Sequence, residues 1–595
     1  MKTNKPFKIF SVLSLLLLSS CTPSSVKEDN KICVMIENNP LVSLQSSVYY
    51  INKGEDLSFD FTISSHCELK NINYEQKKIR LINYSDEVKS FNLTLFSVSY
   101  SVFLKIETSY YRDQITYNLN GGHEQYVPES QTFIQNIDRI HLRANTLTGT
   151  NIFKKDNSTL IGWNTKKDET GEEISLGGKV YSSSSISLFA EWQNNSPASS
   201  FSYIKNEKEI TLTSYSSLDK SIVIPSSIEG IKVTSISKNC FTNLDINELV
   251  IPSSVVKIED EAFTSCNINK LYLFDNLKEV DDAAFVNTPI EKIRINAYSA
   301  PTFSGTYFDT FNDKLDRLAL LQNNKKIVLS GGSSWRFGVN SQLINDKFPS
   351  YDVINMGVYA YSNMLPQYEM IYNYMNEGDV LLISPEFDAI AQQFCTSNKL
   401  DYYFFAMNEG NYNSVSLLNP NKYSNFFSSF REYNNIRSIS TPKNYACYSY
   451  TYDENNEFKN TRTYNDYGDY TYYRPNNAEE KLFGIKRASY NKYDFSKSYL
   501  DSFNKVIDKF LNKGIKVYFT YSPRSEKSIT KNSTKNAIDE LDIYLRNNLN
   551  SPIISPIADS LINAFYFYNT DNHLSTDGVE KRTKNLINDL EKVLI

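Results

Sequence analysis

Between residues 205 and 298 the chain repeats itself every 22 residues. Phe241, Phe263 and Phe285 stand 22 apart, as do Ile236, Ile258 and Val280. Ile246, Ile268 and Ile290 form a third column, Leu249, Leu271 and Ile293 a fourth, and Cys240, Ala262 and Ala284 a column of small residues. A unit this short cannot bury its own apolar face, so successive units must stack and share one core. Residues 200–300 are therefore expected to form a solenoid, with Cys240 filling a small buried slot. Such an arm serves either as a binding face or as a rigid stalk.

The remaining chain is long enough for several further units. At about 100–200 residues per domain, 595 residues correspond to roughly three to five domains. The net charge is −6, from 62 basic and 68 acidic side chains, with no long block of either sign. No basic face for nucleic acid is visible, so no nucleic-acid partner is expected. Residues 22–113 open with a polar tether, 22–30, and continue in short runs of period two such as Ser58–Ile63. Half-buried strands of a small β-sandwich follow from that period. Residues 114–195 carry Asn120-Gly121-Gly122, a tight-turn signal, and two large apolar side chains, Trp163 and Trp192.

Residues 1–21 read as a targeting segment. Lys2, Lys5 and Lys8 precede a largely apolar run, Ile9 to Leu18, that is too short to cross a hydrocarbon core of about 30 Å. The six later cysteines are Cys33, Cys67, Cys240, Cys266, Cys395 and Cys447. None has zinc-site or CxxC spacing, so they are small buried residues, unpaired thiols, or pairs formed after export.

From about residue 318 to 595 the pattern changes to apolar strands alternating with amphipathic helices. Strand runs are expected at 326–329, 353–356, 380–383 and 515–519, and helices at 499–511 and 577–594. This alternation implies a parallel sheet covered on both faces. Residues 392–492, rich in Tyr, Asn and Ser, are expected as an insertion over the sheet edge. Ligands of such sheets bind beyond the carboxyl ends of the strands. Three segments fall there: Ser330–Gly338, Asn355-Met356-Gly357, and Thr570–Gly578. His573, in the last of these, is the only histidine after residue 141.

Several of these pieces resemble known families. Leu18-Ser19-Ser20-Cys21 resembles a bacterial lipobox, which implies lipidation of Cys21 and attachment to the extracytoplasmic face of the membrane. Ile115–Gly122, Gly162-Trp163-Asn164-Thr165 and Leu188–Trp192 resemble an internalin-type B-repeat, a β-grasp-like spacer. The 22-residue units resemble BspA-type leucine-rich repeats. The three C-terminal segments together resemble the SGNH (GDSL-type) hydrolase superfamily, nearest its DltD-like and alginate-acetylation branch.

The whole is thus expected to be multidomain, with β-rich modules followed by an α/β three-layer domain. The last resemblance implies Ser333 as nucleophile, with Ser334 as the alternative. It makes His573 the base and Asp571 the group that orients it, Asp577 being the competing carboxylate. The N–H groups of Ser333 and Gly357 are expected to bind the oxyanion. The third segment of that family supplies an Asn, whereas here the third strand ends Ser384-Pro385-Glu386. Glu386 is read as structural, protonated, or substrate-binding. No metal or cofactor is implied. The expected activity is serine esterase or acyltransferase on O-acyl groups of a surface polysaccharide or wall polymer. The alternatives are a non-catalytic adhesion scaffold, or an accessory subunit of a membrane acyltransferase.

Overall fold

The computed structural model describes residues 31–594 apart from short interior stretches, of which 143–152 and 440–449 are the longest. The targeting segment with Cys21, the tether, Cys395 and Cys447 lie outside the described residues. No helix among the described residues is long and apolar enough to cross a membrane. Cys240 and Cys266 are free thiols.

The protein is multidomain and strand-rich. Residues 31–110 form two four-stranded sheets. Val34, Phe61, Leu93 and Leu104 from both sheets meet in one core. Alternation along Leu57–Ile63 is regular, with every second side chain buried. The next unit is a five-stranded mixed sheet in which Ile186–Asn194 pairs parallel with Asp113–Asn118 and antiparallel with Ser158–Asn164. Its turn places Asn120 and Gly121 at φ of 48° and 83°, the left-handed region that a glycine adopts without strain. Trp163 is fully buried against Tyr117 and Phe153.

The 22-residue period is the register of the solenoid. Phe241 pairs with Phe263, Ile246 with Ile268 and then Ile290, and Leu249 with Leu271 and then Ile293, all in parallel. Cys240, Ala262 and Ala284 are buried in the shared core. The phenylalanines form a flat ladder, with ring centroids 4.7 Å apart for Phe241–Phe263 and 4.8 Å for Phe263–Phe285.

The C-terminal part opens with helix α1 (Thr310–Leu320), strand β1 (Lys326–Gly331) and the short helix α2 (Ser333–Arg336). It continues with strands β2 (Asp352–Asn355) and β3 (Val380–Ser384) and helix α3 (Phe426–Ile439). Helix α4 (Lys497–Leu511), strand β4 (Lys516–Phe519) and helix α5 (Thr576–Leu594) complete it. The sheet order is β2-β1-β3-β4, entirely parallel. Two apolar clusters account for the continuous apolar strands. Val328, Leu381 and Val517 join one, and Ile327, Leu329, Leu382 and Leu586 join the other.

The inserted segment does more than cover a sheet edge. Its helix α3 closes the open end of the solenoid, where Phe427 stacks on Phe285 at 4.1 Å and extends the phenylalanine ladder by one ring. The Asn421 side chain accepts from the Ile290 N–H and donates to the Ile290 carbonyl, as a further strand would. Arg437 forms a buried ion pair with Asp275 at 2.7 Å, and Tyr412 donates to the same carboxylate at 3.1 Å. The start of the last repeat's outer edge, at Ile290, is thereby satisfied from within the inserted segment. Replacing Arg437 with Met should leave Asp275 buried beside an apolar chain and cost about 3–5 kcal/mol. Urea unfolding of the full chain checks this; an unchanged midpoint would show that the cap adds nothing.

Candidate active site

The carboxyl ends of β1 and β3 and the turn before α5 converge. β1 delivers Gly331-Gly332 and then Ser333 at the first position of α2. The chain reverses between Phe567 and Leu574, which pair antiparallel, and the Tyr568 N–H donates to the His573 carbonyl at 2.9 Å. This reversal brings His573 Nε2 to 2.8 Å from Ser333 Oγ across 240 residues of sequence. The imidazole stacks on Phe337, with centroids 4.1 Å apart.

The group on the other ring nitrogen is not the expected carboxylate. His573 Nδ1 lies 3.1 Å from Asn569 Oδ1. An amide oxygen only accepts, so Nδ1 carries the proton and Nε2 offers its lone pair to the serine hydroxyl. Asp571 turns inward at the tip of the reversal and pairs with the guanidinium of Arg524, which also reaches Asp388 at 3.3 Å. Asp577 sits in the first turn of α5, beside Asn476. The assignment of Asp571 as the orienting group is therefore corrected to Asn569, which sequence reading passed over.

Two further expectations change. The Gly357 N–H donates to Asn355 Oδ1 at 2.9 Å and is not open to an oxyanion. Glycine is needed there for packing, since a Cβ would stand 2.5 Å from Trp335 Cβ. Glu386 faces no substrate. It is fully buried and accepts from the two N–H groups flanking the serine, Gly332 N at 3.1 Å and Ser334 N at 3.0 Å. Burial raises its carboxyl above the usual carboxylate range, and hydrogen bonding from Ser334 partly opposes that. Gly332 is a glycine because a Cβ would strike this carboxylate. Ser334 is completely buried in the same turn, and Ser333 is the hydroxyl that meets the imidazole. The Ser333 N–H has no acceptor among the described residues. With only four residues, α2 adds little dipole to it.

Other elements lock the turn. Asn355 donates to the Trp335 carbonyl at 3.0 Å and to buried Asp469 at 2.8 Å. From α5, Arg582 donates to the carbonyls of Ser334 at 2.9 Å and Gly338 at 3.2 Å, and its guanidinium lies 4.5 Å above the Trp335 ring. Arg474, from the inserted segment, donates to the Leu574 carbonyl at 2.8 Å and lies over Tyr470. The one sequence signal for Arg582 was its place on the buried face of α5, three residues after Val579 and four before Leu586.

Burial and three nearby arginines set the electrostatics of the imidazole. Burial, and then the positive charges of Arg474, Arg336 and Arg524, push the His573 imidazole down to about 3. No carboxylate lies against Nδ1; Asp571 and Asp388 pair with Arg524 instead. No group of three or more His, Cys, Asp or Glu among the described residues could hold a metal ion.

Comparison with known proteins bears on the solenoid. Residues 234–365 match the BspA type leucine rich repeat region in six copies. Of that span, 234–296 carry the stacked strands, and 310–365 carry α1, β1, α2 and β2. No curated protein matches the chain. Among solved structures, a leucine-rich repeat protein of T. pallidum is similar over 17% of this chain and 71% of its own. The identity is 15% and the TM-score 0.12. The chain contains BspA-type leucine-rich repeats, and the family match ends before His573.

Replacing Asn569 with Asp should raise the His573 pKa by at least about one unit, since an adjacent carboxylate favours the imidazolium. NMR titration reads this directly because the chain has four histidines. A pKa that stays put would mean that Asn569 does not bond Nδ1 in solution. Glu386→Gln should cost about 1–3 kcal/mol, because its amide group must face one of the two N–H donors. Thermal unfolding measures the loss, and a neutral outcome would sink the two-donor role.

Proposed function

We propose that the C-terminal domain is an SGNH-type serine esterase or O-acyltransferase. Its substrates on this reading are O-acyl groups of a surface polysaccharide or wall polymer, reached from the extracytoplasmic membrane face by a lipid on Cys21. The observation that carries the catalytic part is the 2.8 Å contact between Ser333 Oγ and His573 Nε2 at the carboxyl end of a parallel sheet. That distance is within the range for direct proton transfer. The siting of the substrate outside the cell rests on the lipobox resemblance alone.

In this mechanism the Ser333 hydroxyl attacks the acyl carbonyl as Nε2 takes its proton. Asn569 holds the ring so that Nε2, not Nδ1, is the acceptor. The tetrahedral oxyanion is met by the Ser333 N–H and by the field of the buried arginines. Nε2 then returns the proton to the departing sugar oxygen, leaving an acyl-serine that water or a second hydroxyl resolves.

The arginine field has opposite effects on two stages. Together with burial it makes the resting imidazole a weak base, yet it stabilises the oxyanion that forms opposite it. Such a site reacts slowly with simple esters, since a base of pKa about 3 has little driving force for proton removal. The same weakness favours, as a second reading, an accessory acyl-transfer subunit that works beside a membrane acyltransferase.

A fluorophosphonate probe should label the full chain once, and both Ser333→Ala and His573→Ala should abolish the label. The double variant should be no worse than either single variant, because the pair acts as a unit. His573 is neutral, and so competent as a base, at every pH above about 3. Labelling should therefore stay level from about pH 8 to about pH 5, where an ordinary histidine base would lose most of its activity. A midpoint near 6.5 would contradict the combined effect of burial and the arginine field, and labelling that persists in Ser333→Ala would remove the nucleophile.

A further inference from the structure

A cavity of about 210 Å³ opens beside the sheet, between the chain following β4, the 3-10 turn Ile557–Ser560 and one face of α5. Thr520 and Tyr521, which directly follow β4, line it, so it lies at the strand end that also carries Ser333. Its polar groups are mixed: the Asp559 carboxylate, the Asn585 amide, and the hydroxyls of Thr520 and Ser555, which bond each other. Tyr521, Pro523, Pro556 and Leu586 give it apolar walls.

Arg582 connects this cavity to the nucleophile. It lines the cavity while only 8% exposed, and on its far side it holds the Ser334 and Gly338 carbonyls. No carboxylate pairs with it among the described residues; its partners are those carbonyls, the Ser384 hydroxyl and the Trp335 ring. The lining carries both signs, Lys581 and Arg582 standing with Asp559 and with Asp589, which pairs with Lys592. A simple anion would meet the two carboxylates, and a cation would meet the two basic groups. A neutral ring bearing hydroxyls on its edge and C–H groups on its faces satisfies both the mixed donors and acceptors and the apolar walls.

We propose that this cavity is a subsite for one neutral sugar residue of the polymer. The inference rests on the polysaccharide reading above. Occupancy would engage Arg582 and so stiffen the turn that carries Ser333.

Saturation-transfer NMR with the full chain tests it, using N-acetylglucosamine, glucose and glycerol 3-phosphate as separate probes. At least one of the two sugars should receive saturation. The Asp559→Ala/Asn585→Ala double variant, changed only at exposed positions, should bind that sugar about tenfold more weakly through loss of two hydrogen-bonding groups. Ser333→Ala should retain the signal. Saturation of glycerol 3-phosphate alone, of neither sugar, or equally in the double variant overturns the subsite. Fluorophosphonate labelling of the same sample separates the two ideas. Labelling without sugar binding removes only the subsite, and sugar binding without labelling removes only the serine chemistry.

Discussion

A carboxylate buried beneath two backbone N–H groups fixes the geometry of the site. Glu386 accepts from Gly332 and Ser334, so the peptide between them can present Ser333 in only one way. Burying a charged group without a direct cation is costly, and its raised pKa is the measure of that. Other features follow from accommodating it. Gly332 must lack a side chain, Arg582 must hold the carbonyls of the same turn, and Asn355 must hold the next one. The serine is thus positioned from β3, β2 and α5 together, and its own four-residue helix contributes little.

The solenoid and the α/β domain solve a shared problem. A stack of repeats ends in an unpaired edge and an exposed apolar layer, and a sheet domain with a long insertion must fold that insertion against something. Phe427, Asn421 and Arg437 let each answer the other. At the opposite flank, Asn296 bonds the Ile161 carbonyl and the Leu176 N–H, which fastens the preceding β-rich unit to the last repeat. The apolar core of the repeats consequently runs on into that of the sheet.

What could be read from the sequence follows the physics of each part. The solenoid was legible because stacking converts a spatial contact into a fixed interval along the chain, so Phe241, Phe263 and Phe285 announce their own neighbours. The four parallel strands were legible because burial on both faces leaves unbroken apolar runs. Ser333 and His573 stood out through a glycine-flanked strand end and a solitary late histidine. The orienting residue did not. An Asp-x-His spacing suggests neighbours on an extended segment, but the chain turns back between Phe567 and Leu574. The partner therefore comes from the other arm, at Asn569, while Asp571 serves Arg524. The cap was illegible because Tyr, Asn and Ser composition says nothing about which distant edge an insertion will meet.

The flat stacking of Phe285 on Phe427 has a consequence for how this architecture can vary in length. The cap recognises one ring height and one carbonyl, that of Ile290, at the end of the ladder. A deletion of a few residues within the repeats would present the cap with the wrong face. Loss or gain of a whole 22-residue unit upstream of the last one leaves the junction unchanged. The cap alone would accept an arm changed in quanta of one repeat, but Ile161 of the preceding unit packs against Val223, Val250 and Tyr272 of successive repeats and so holds the arm to its present number.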